Sequence, residues 1–144
     1  NNVVPDSAIL RGNMRPSTPD AMVAAELALR DTIAAVSRDH DVHCHLHGGF
    51  NRPPKPLDAA ATRLFELVRT CGAALGLPPI GWNATGGVCD GNNIAACGIP
   101  VVDTMGPRGG AIHSADEFLI VDSLPERAQL SALTMIRIAE RGTV

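Results

Sequence analysis

A proline-rich segment, NRPPKP at residues 51–56, interrupts this chain of 144 residues. Proline lacks a backbone donor and fixes its own φ angle, so neither a regular helix nor a central strand runs through such a segment. Proline-rich segments instead behave as stiff spacers. We therefore predict a first domain at residues 1–50, a linker at 51–56 and a second domain at 57–144.

The composition predicts a folded protein and excludes some classes of partner. Hydrophobic residues make up 45% of the chain, which is enough for a core. The net charge of -3 argues against a surface for nucleic acid or for anionic membranes. The four cysteines form no C-x-x-C pair, which indicates buried thiols in a reducing compartment. We expect a cytoplasmic protein that binds neither nucleic acid nor membrane.

The hydrophobic periodicity predicts an α/β fold in two parts. Alternating or short apolar runs indicate strands at residues 7–15, 42–47, 80–83, 100–105 and 118–121. Apolar residues at helical spacing indicate helices at residues 19–38, 57–75, 92–97 and 123–141. Thr18 followed by Pro19 indicates an N-cap, and Ser123 with Glu126 indicates a capping box.

Three histidines alternate along the predicted strand at residues 42–47. His43, His45 and His47 share one face, because alternate residues of a strand point the same way. Such histidines lie about 7 Å apart, so they converge on one metal ion only if the strand bends or another element adds a ligand. We favour imidazoles in water on an open sheet face, with a metal site as the alternative.

A fourth candidate, His113, lies near the end of a glycine-rich stretch that begins at Thr85. A histidine in such a loop is suited to bind a metal or to carry a proton. One imidazole does not complete a zinc site, which needs three or four ligands, and no nearby carboxylate has a spacing that requires ligation. From the residues alone we interpret His113 as a polar loop histidine.

The pair Gly86–Gly87 precedes a predicted helix, so its backbone N–H groups are suited to hold an anion. It lacks a P-loop lysine, which favours a carboxylate over a polyphosphate. Arg15 is either a bidentate clamp for such a carboxylate or a solvated surface charge. Cys89 is either a nucleophile with His113 as its base or, as we favour, a small buried residue at a turn.

Two longer patterns resemble the zinc aminoacylase and carboxypeptidase family, which includes glutamate carboxypeptidase, acetylornithine deacetylase and succinyl-diaminopimelate desuccinylase. NVVPDSAILRGNMRP at residues 2–16 looks like part of that family's lid domain. TGGVCDGNNIAACGIPVVDTMGP and GGAIHSADEFLIVDSL, at residues 85–107 and 109–124, are similar to its C-terminal signature. The resemblance implies an incomplete lid βαβ unit followed by the C-terminal α/β part of a metallopeptidase catalytic domain.

The resemblance also implies roles for seven residues of this chain. His113 matches a metal ligand. Four residues match positions that line the substrate site, with the arginine binding the substrate carboxylate: Asn2, Arg15, Gly86 and Gly87. Two acidic residues match positions that support the turn and the ligand: Asp90 and Glu117. Cys89 stands where the family often has serine, which argues further against a nucleophile.

The family's other metal ligands and its catalytic glutamate precede the segments matched here. The resemblance thus implies the last third of a hydrolase that cleaves a peptide or N-acyl amide bond next to a free carboxylate. It also implies a two-metal site of zinc, or of cobalt or manganese, and a small N-acyl amino acid or dipeptide-like substrate. By itself the chain would carry no catalytic residue, would be inactive, and would have an empty metal site.

The predicted strands at residues 7–15 and 42–47 would flank the position of a missing lid strand. Because an unpaired strand edge favours pairing with another chain, we expect a homodimer through the lid strands. The alternative to a hydrolase fragment is a non-catalytic domain that uses the same strands to self-associate.

Overall fold

The computed structural model describes residues 5–142. The described residues fall into two compact units that divide between Pro54 and Lys55, inside the proline-rich segment. In the described part of the chain there are four helices and one pair of short strands, listed in chain order: α1 (Pro19–Asp39), α2 (Ala59–Ala74), α3 (Asp90–Ala96), β1 (Gly109–Gly110), β2 (Phe118–Leu119) and α4 (Ser123–Arg141).

Helix α1 of the N-terminal unit begins where the sequence predicts. The Thr18 side chain accepts a hydrogen bond from the N–H of Ala21 at 3.2 Å, and Pro19 is the first helical residue. This arrangement satisfies one of the free N–H groups at the helix start. No residue of α1 is buried, so the helix depends strongly on its own caps and side-chain pairs.

The apolar residues of α1 recur at helical spacing and predict one buried face, made of Met22, Val23, Leu27, Ile33 and Val36. This prediction is only partly correct. Met22 and Ile33 are half-buried, whereas Val23, Leu27 and Val36 are exposed. The predicted stripe is therefore too wide. Alanine is compatible with either face of a helix, so an alanine-rich sequence locates the buried face poorly.

The segments at residues 7–15 and 42–47, which we predict as strands, form no strand in the structure. Ile9 and Leu10 are 84% and 98% exposed. Within the second segment, the Cys44 N–H donates to the Ser37 side chain of α1 at 3.3 Å. Alternating apolar residues are compatible with a strand. A strand forms, however, only when a second segment supplies the partners for its backbone hydrogen bonds.

The C-terminal unit has its core between α2 and α4. Leu67, Val68 and Cys71 of α2 pack with Leu130 of α4, and all four side chains are at most 4% exposed. Half-buried apolar residues surround this cluster: Leu75, Leu77, Ile80, Val102, Met105, Leu133 and Ile138. The core is therefore a helix pair covered by irregular chain.

The predicted strands at residues 80–83 and 100–105 are also irregular in the structure, although Ile80, Val102 and Met105 pack against the core. Between residues 5 and 142, the one strand pair is β1 with β2, in antiparallel register. Only the last predicted strand, at residues 118–121, therefore overlaps an observed one.

The predicted capping box at the start of α4 is wrong. Asp122, not Ser123, is the N-cap residue, and its side chain makes no capping hydrogen bond. The buried Ser123 hydroxyl instead donates to the Ile120 carbonyl at 2.6 Å and accepts from the Arg108 N–H at 2.8 Å. Glu126 pairs with the Arg108 side chain at 3.1 Å. These tertiary contacts replace the predicted local ones.

No helix within residues 5–142 combines the length and the apolar character that crossing a membrane requires.

Candidate functional site

His113 lies in the loop of a β-hairpin. The register of β1 and β2 pairs Gly109 with Leu119 and Gly110 with Phe118. The Phe118 carbonyl oxygen occupies the space that a Cβ on Gly109 would need, and the Phe118 ring would lie 2.8 Å from a Cβ on Gly110. The two strands approach this closely because both residues of β1 are glycine.

The loop itself is held by short-range hydrogen bonds. The Ser114 hydroxyl donates to the Ala111 carbonyl at 2.7 Å and accepts from the Asp116 N–H at 3.2 Å. A Glu117 carboxylate oxygen accepts from the backbone N–H of His113 at 3.3 Å. These contacts fix the backbone on both sides of the histidine.

The backbone of His113 is left-handed, with φ of 68°, and that of Ala111 is left-handed with φ of 53°. Residues other than glycine adopt this backbone conformation at an energetic cost. Histidine is found in it more often than most other non-glycine residues are. Such backbone strain persists where the surrounding contacts impose it, and it is concentrated at functional sites. The hairpin therefore holds the histidine backbone in a defined, unfavourable conformation.

The imidazole of His113 is exposed, and its ring makes no hydrogen bond to another described residue. Glu117, which we predict to support the ligand, contacts the histidine through the backbone N–H and not through the ring. No group of three or more histidine, cysteine, aspartate or glutamate side chains suited to a metal occurs between residues 5 and 142. The His113 hairpin thus offers one imidazole ligand, and residues 5–142 contain no complete metal site.

The glycine turn precedes α3, as predicted. Gly86 and Gly87 are exposed, and Asp90 is the exposed first residue of the helix. The Asn92 side-chain oxygen accepts from the Cys89 N–H at 3.0 Å, which closes the turn onto the helix. Cys89 is half-buried and makes no hydrogen bond with His113 in the described part of the chain, so the nucleophile–base pair is not formed.

An ion pair that the sequence patterns do not predict lies beside α3. Lys55 Nζ pairs with the Asp103 carboxylate, and both side chains are about three-quarters buried. The carboxylate also contacts Gly91, where a Cβ would lie 3.0 Å from the Asp103 Cγ. The only sequence signal was a charged residue within an apolar run, VVDTM, at residues 101–105.

The other predicted site residues lie in the N-terminal unit or outside the described residues. Arg15 donates from Nε to the Asn13 side chain at 3.1 Å. His43, His45 and His47 are all exposed. Asn2, which we predict to face the substrate cleft, lies outside the described residues.

Comparison with known proteins relates the chain to one hydrolase class. It is 31% identical over 134 residues to succinyl-diaminopimelate desuccinylase from Psychrobacter arcticus. The match covers 90% of this chain but 31% of that enzyme, so the chain spans about a third of the length of this relative. No family model matches the chain, and no solved structure gives a significant match. The similarity supports a hydrolase of the amidohydrolase type.

Proposed function

We propose that this chain is the C-terminal part of a metal-dependent hydrolase that cleaves an amide bond next to a free carboxylate. The observation that carries the proposal is the similarity to a desuccinylase over 90% of the chain. The His113 hairpin adds a second argument, because it holds a histidine backbone in a strained, hydrogen-bonded loop and leaves the imidazole exposed. An exposed imidazole on a fixed backbone is suited to coordinate a metal ion.

In this proposal His113 supplies one ligand of a two-zinc site. Residues 5–142 contain no group that completes such a site, so the remaining ligands and the general base come from other parts of the enzyme. Arg15 and the turn Gly86–Gly87 bind the carboxylate end of the substrate, and Asn2 faces the substrate cleft. The substrate is a small N-acyl amino acid or a dipeptide-like molecule. The 144-residue chain is then inactive by itself and binds zinc weakly.

The test compares the 144-residue chain with the product of the complete reading frame that contains it. Both are assayed on succinyl-diaminopimelate and on a panel of N-acyl amino acids, and their zinc content is measured by mass spectrometry. We expect hydrolysis by the complete product and none by the 144-residue chain. His113→Ala in the complete product should lower kcat/KM at least about a hundredfold and reduce zinc content.

His40→Ala is the matched control, because His40 is also exposed but lies at the end of α1, outside every candidate site. It should leave kcat/KM and zinc content unchanged. Hydrolysis by the 144-residue chain, abolished by His113→Ala, would overturn its inactivity. An inactive complete product, or a His113→Ala variant with full activity, would overturn the hydrolase proposal.

A second candidate function is non-catalytic self-association. It is favoured by the apolar side chains exposed in the segment at residues 7–15: Ile9 at 84%, Leu10 at 98% and Met14 at 51%. Exposed apolar residues in a segment without a strand partner are suited to pair with a second copy of the chain. Under this hypothesis, the homodimer forms through the segments at residues 7–15 and 42–47.

Light scattering over a dilution series tests the second candidate. We expect a dimer that dissociates on dilution, and we expect Leu10→Lys to shift the equilibrium to monomer because it adds a charge to the pairing segment. Arg11→Lys is the control, since it preserves the charge of a neighbouring exposed residue. A monomer at all concentrations would contradict pairing through this segment.

A further inference from the structure

A cavity of about 170 Å³ lies in the C-terminal unit, bounded by α2, the irregular segments at residues 80–83 and 101–105, and the first turns of α4. Its apolar wall includes three buried side chains: Ala61, Val68 and Leu130. An apolar cavity of about 150 Å³ is known to accommodate benzene. The cavity therefore has room for a ligand of about six to eight non-hydrogen atoms.

This cavity is separate from the proposed hydrolytic site. No residue of the His113 hairpin and neither glycine of the turn lines it, as far as the described residues show. An inference about the cavity is therefore independent of the proposed amide hydrolysis.

Charged groups line the cavity beside its apolar wall. They are Lys55, Arg127 and Asp103, of which Lys55 and Asp103 form the ion pair described above. Glu126 does not line the cavity but pairs with both Arg127 and Arg108. Three cations in and beside the lining therefore face two carboxylates, which leaves one positive charge in excess. The excess favours a ligand with a single negative charge, because one negative charge neutralises this cluster and a second would remain uncompensated.

Arg127 carries the second argument. Its side chain is 21% exposed, and its Nε is buried without a hydrogen-bond partner among the described residues. A carboxylate oxygen of Glu126 lies 3.4 Å from this Nε as an ion pair. A buried donor that lacks an acceptor is unfavourable, and native proteins satisfy such groups with protein, water or ligand.

We propose that this cavity binds a small aliphatic monocarboxylate. The ligand carboxylate pairs with the Arg127 guanidinium, whose planar donors match two carboxylate oxygens. Its apolar chain lies against Val68 and Leu130. The negative charge of the ligand offsets the excess positive charge of the lining.

The probe is 4-methylpentanoate, and 4-methylpentan-1-ol is the neutral control of the same shape. Trp82 lines the cavity and is the only tryptophan in the sequence, so its fluorescence reports directly on binding. We expect saturable fluorescence changes with a dissociation constant near or below about 1 mM, which is within reach for a ligand of this size. The alcohol should bind at least about tenfold more weakly.

Two variants with opposite expected effects test the charge argument. Arg127→Met keeps an apolar stem and removes the cation, so it should weaken 4-methylpentanoate binding by about tenfold or more. Asp103→Asn removes the competing carboxylate from Lys55, so it should tighten binding. Arg137→Met is the matched control, because Arg137 also lies on α4 but pairs with the exposed Glu140 and does not line the cavity.

The proposal is overturned by any of three results. The first is no saturable change in Trp82 fluorescence up to about 10 mM probe, well above the expected dissociation constant. The second is equal affinity for the acid and the alcohol. The third is equal weakening by Arg127→Met and Arg137→Met. If Arg127→Met fails to fold, the acid–alcohol comparison and the tightening expected for Asp103→Asn decide the question.

Discussion

Leu130→Ala should destabilise the C-terminal unit more than most single substitutions would. Leu130 is fully buried and packs against Leu67, Val68 and Cys71, so the substitution leaves a cavity between α2 and α4. Leucine-to-alanine changes at such positions cost about 3–5 kcal/mol. A domain the size of Lys55–Val144 has a free energy of unfolding of roughly 5–13 kcal/mol in total. The substitution should therefore remove a large fraction of that stability.

Urea unfolding measures this loss, followed both by far-ultraviolet circular dichroism and by Trp82 fluorescence. The midpoint for Leu130→Ala should fall well below that of the unsubstituted chain. Met135→Ala on the same helix is the control, because Met135 is 64% exposed, and it should change the free energy of unfolding by less than about 0.5 kcal/mol. A loss below about 1 kcal/mol for Leu130→Ala would refute the conclusion that the helix pair forms the core.

Two further substitutions test local elements. Gly109→Ala places a methyl group against the Phe118 carbonyl, so we expect the hairpin to open. The Ile120 N–H donates to the Arg108 carbonyl at 2.8 Å beside this hairpin. In the variant, the Ile120 amide should therefore lose protection from hydrogen exchange. Gly106→Ala is the control and should keep that protection, because a Cβ at Gly106 meets no atom within 4 Å. Retained protection in Gly109→Ala would contradict the close approach of β1 and β2. Thr18→Ala should destabilise α1 by about 1 kcal/mol and lower helix content by circular dichroism, whereas Thr18→Asn should preserve it. Equal helix content in both Thr18 variants would show that the cap is unimportant.

The helices of this protein were largely predictable, because their signals are local. Thr18 and Pro19 mark the start of α1 in the sequence and in the structure. Gly142 ends α4 with a left-handed φ of 71°, the conformation that glycine adopts most easily at a helix end. Each of these signals involves residues within a turn or two of the chain.

The candidate site was predictable in residue type but not in geometry. The sequence identified His113 in a glycine-rich loop, yet it did not indicate that Glu117 contacts the backbone of the histidine and not its ring. It also missed the pairing of Lys55 with Asp103, since these residues are 48 positions apart. A pairing over that distance leaves no periodic signal in a single sequence.

The local pattern of residues was therefore sufficient for helix ends, the start of α1 and the loop position of His113. The tertiary structure alone decided whether the apolar runs at residues 80–83 and 100–105 pair as strands, and which partner the Ser123 hydroxyl takes. The physical reason is that a helix satisfies its backbone groups within its own segment, whereas strands, buried hydroxyls and ion pairs need partners that only folding brings together.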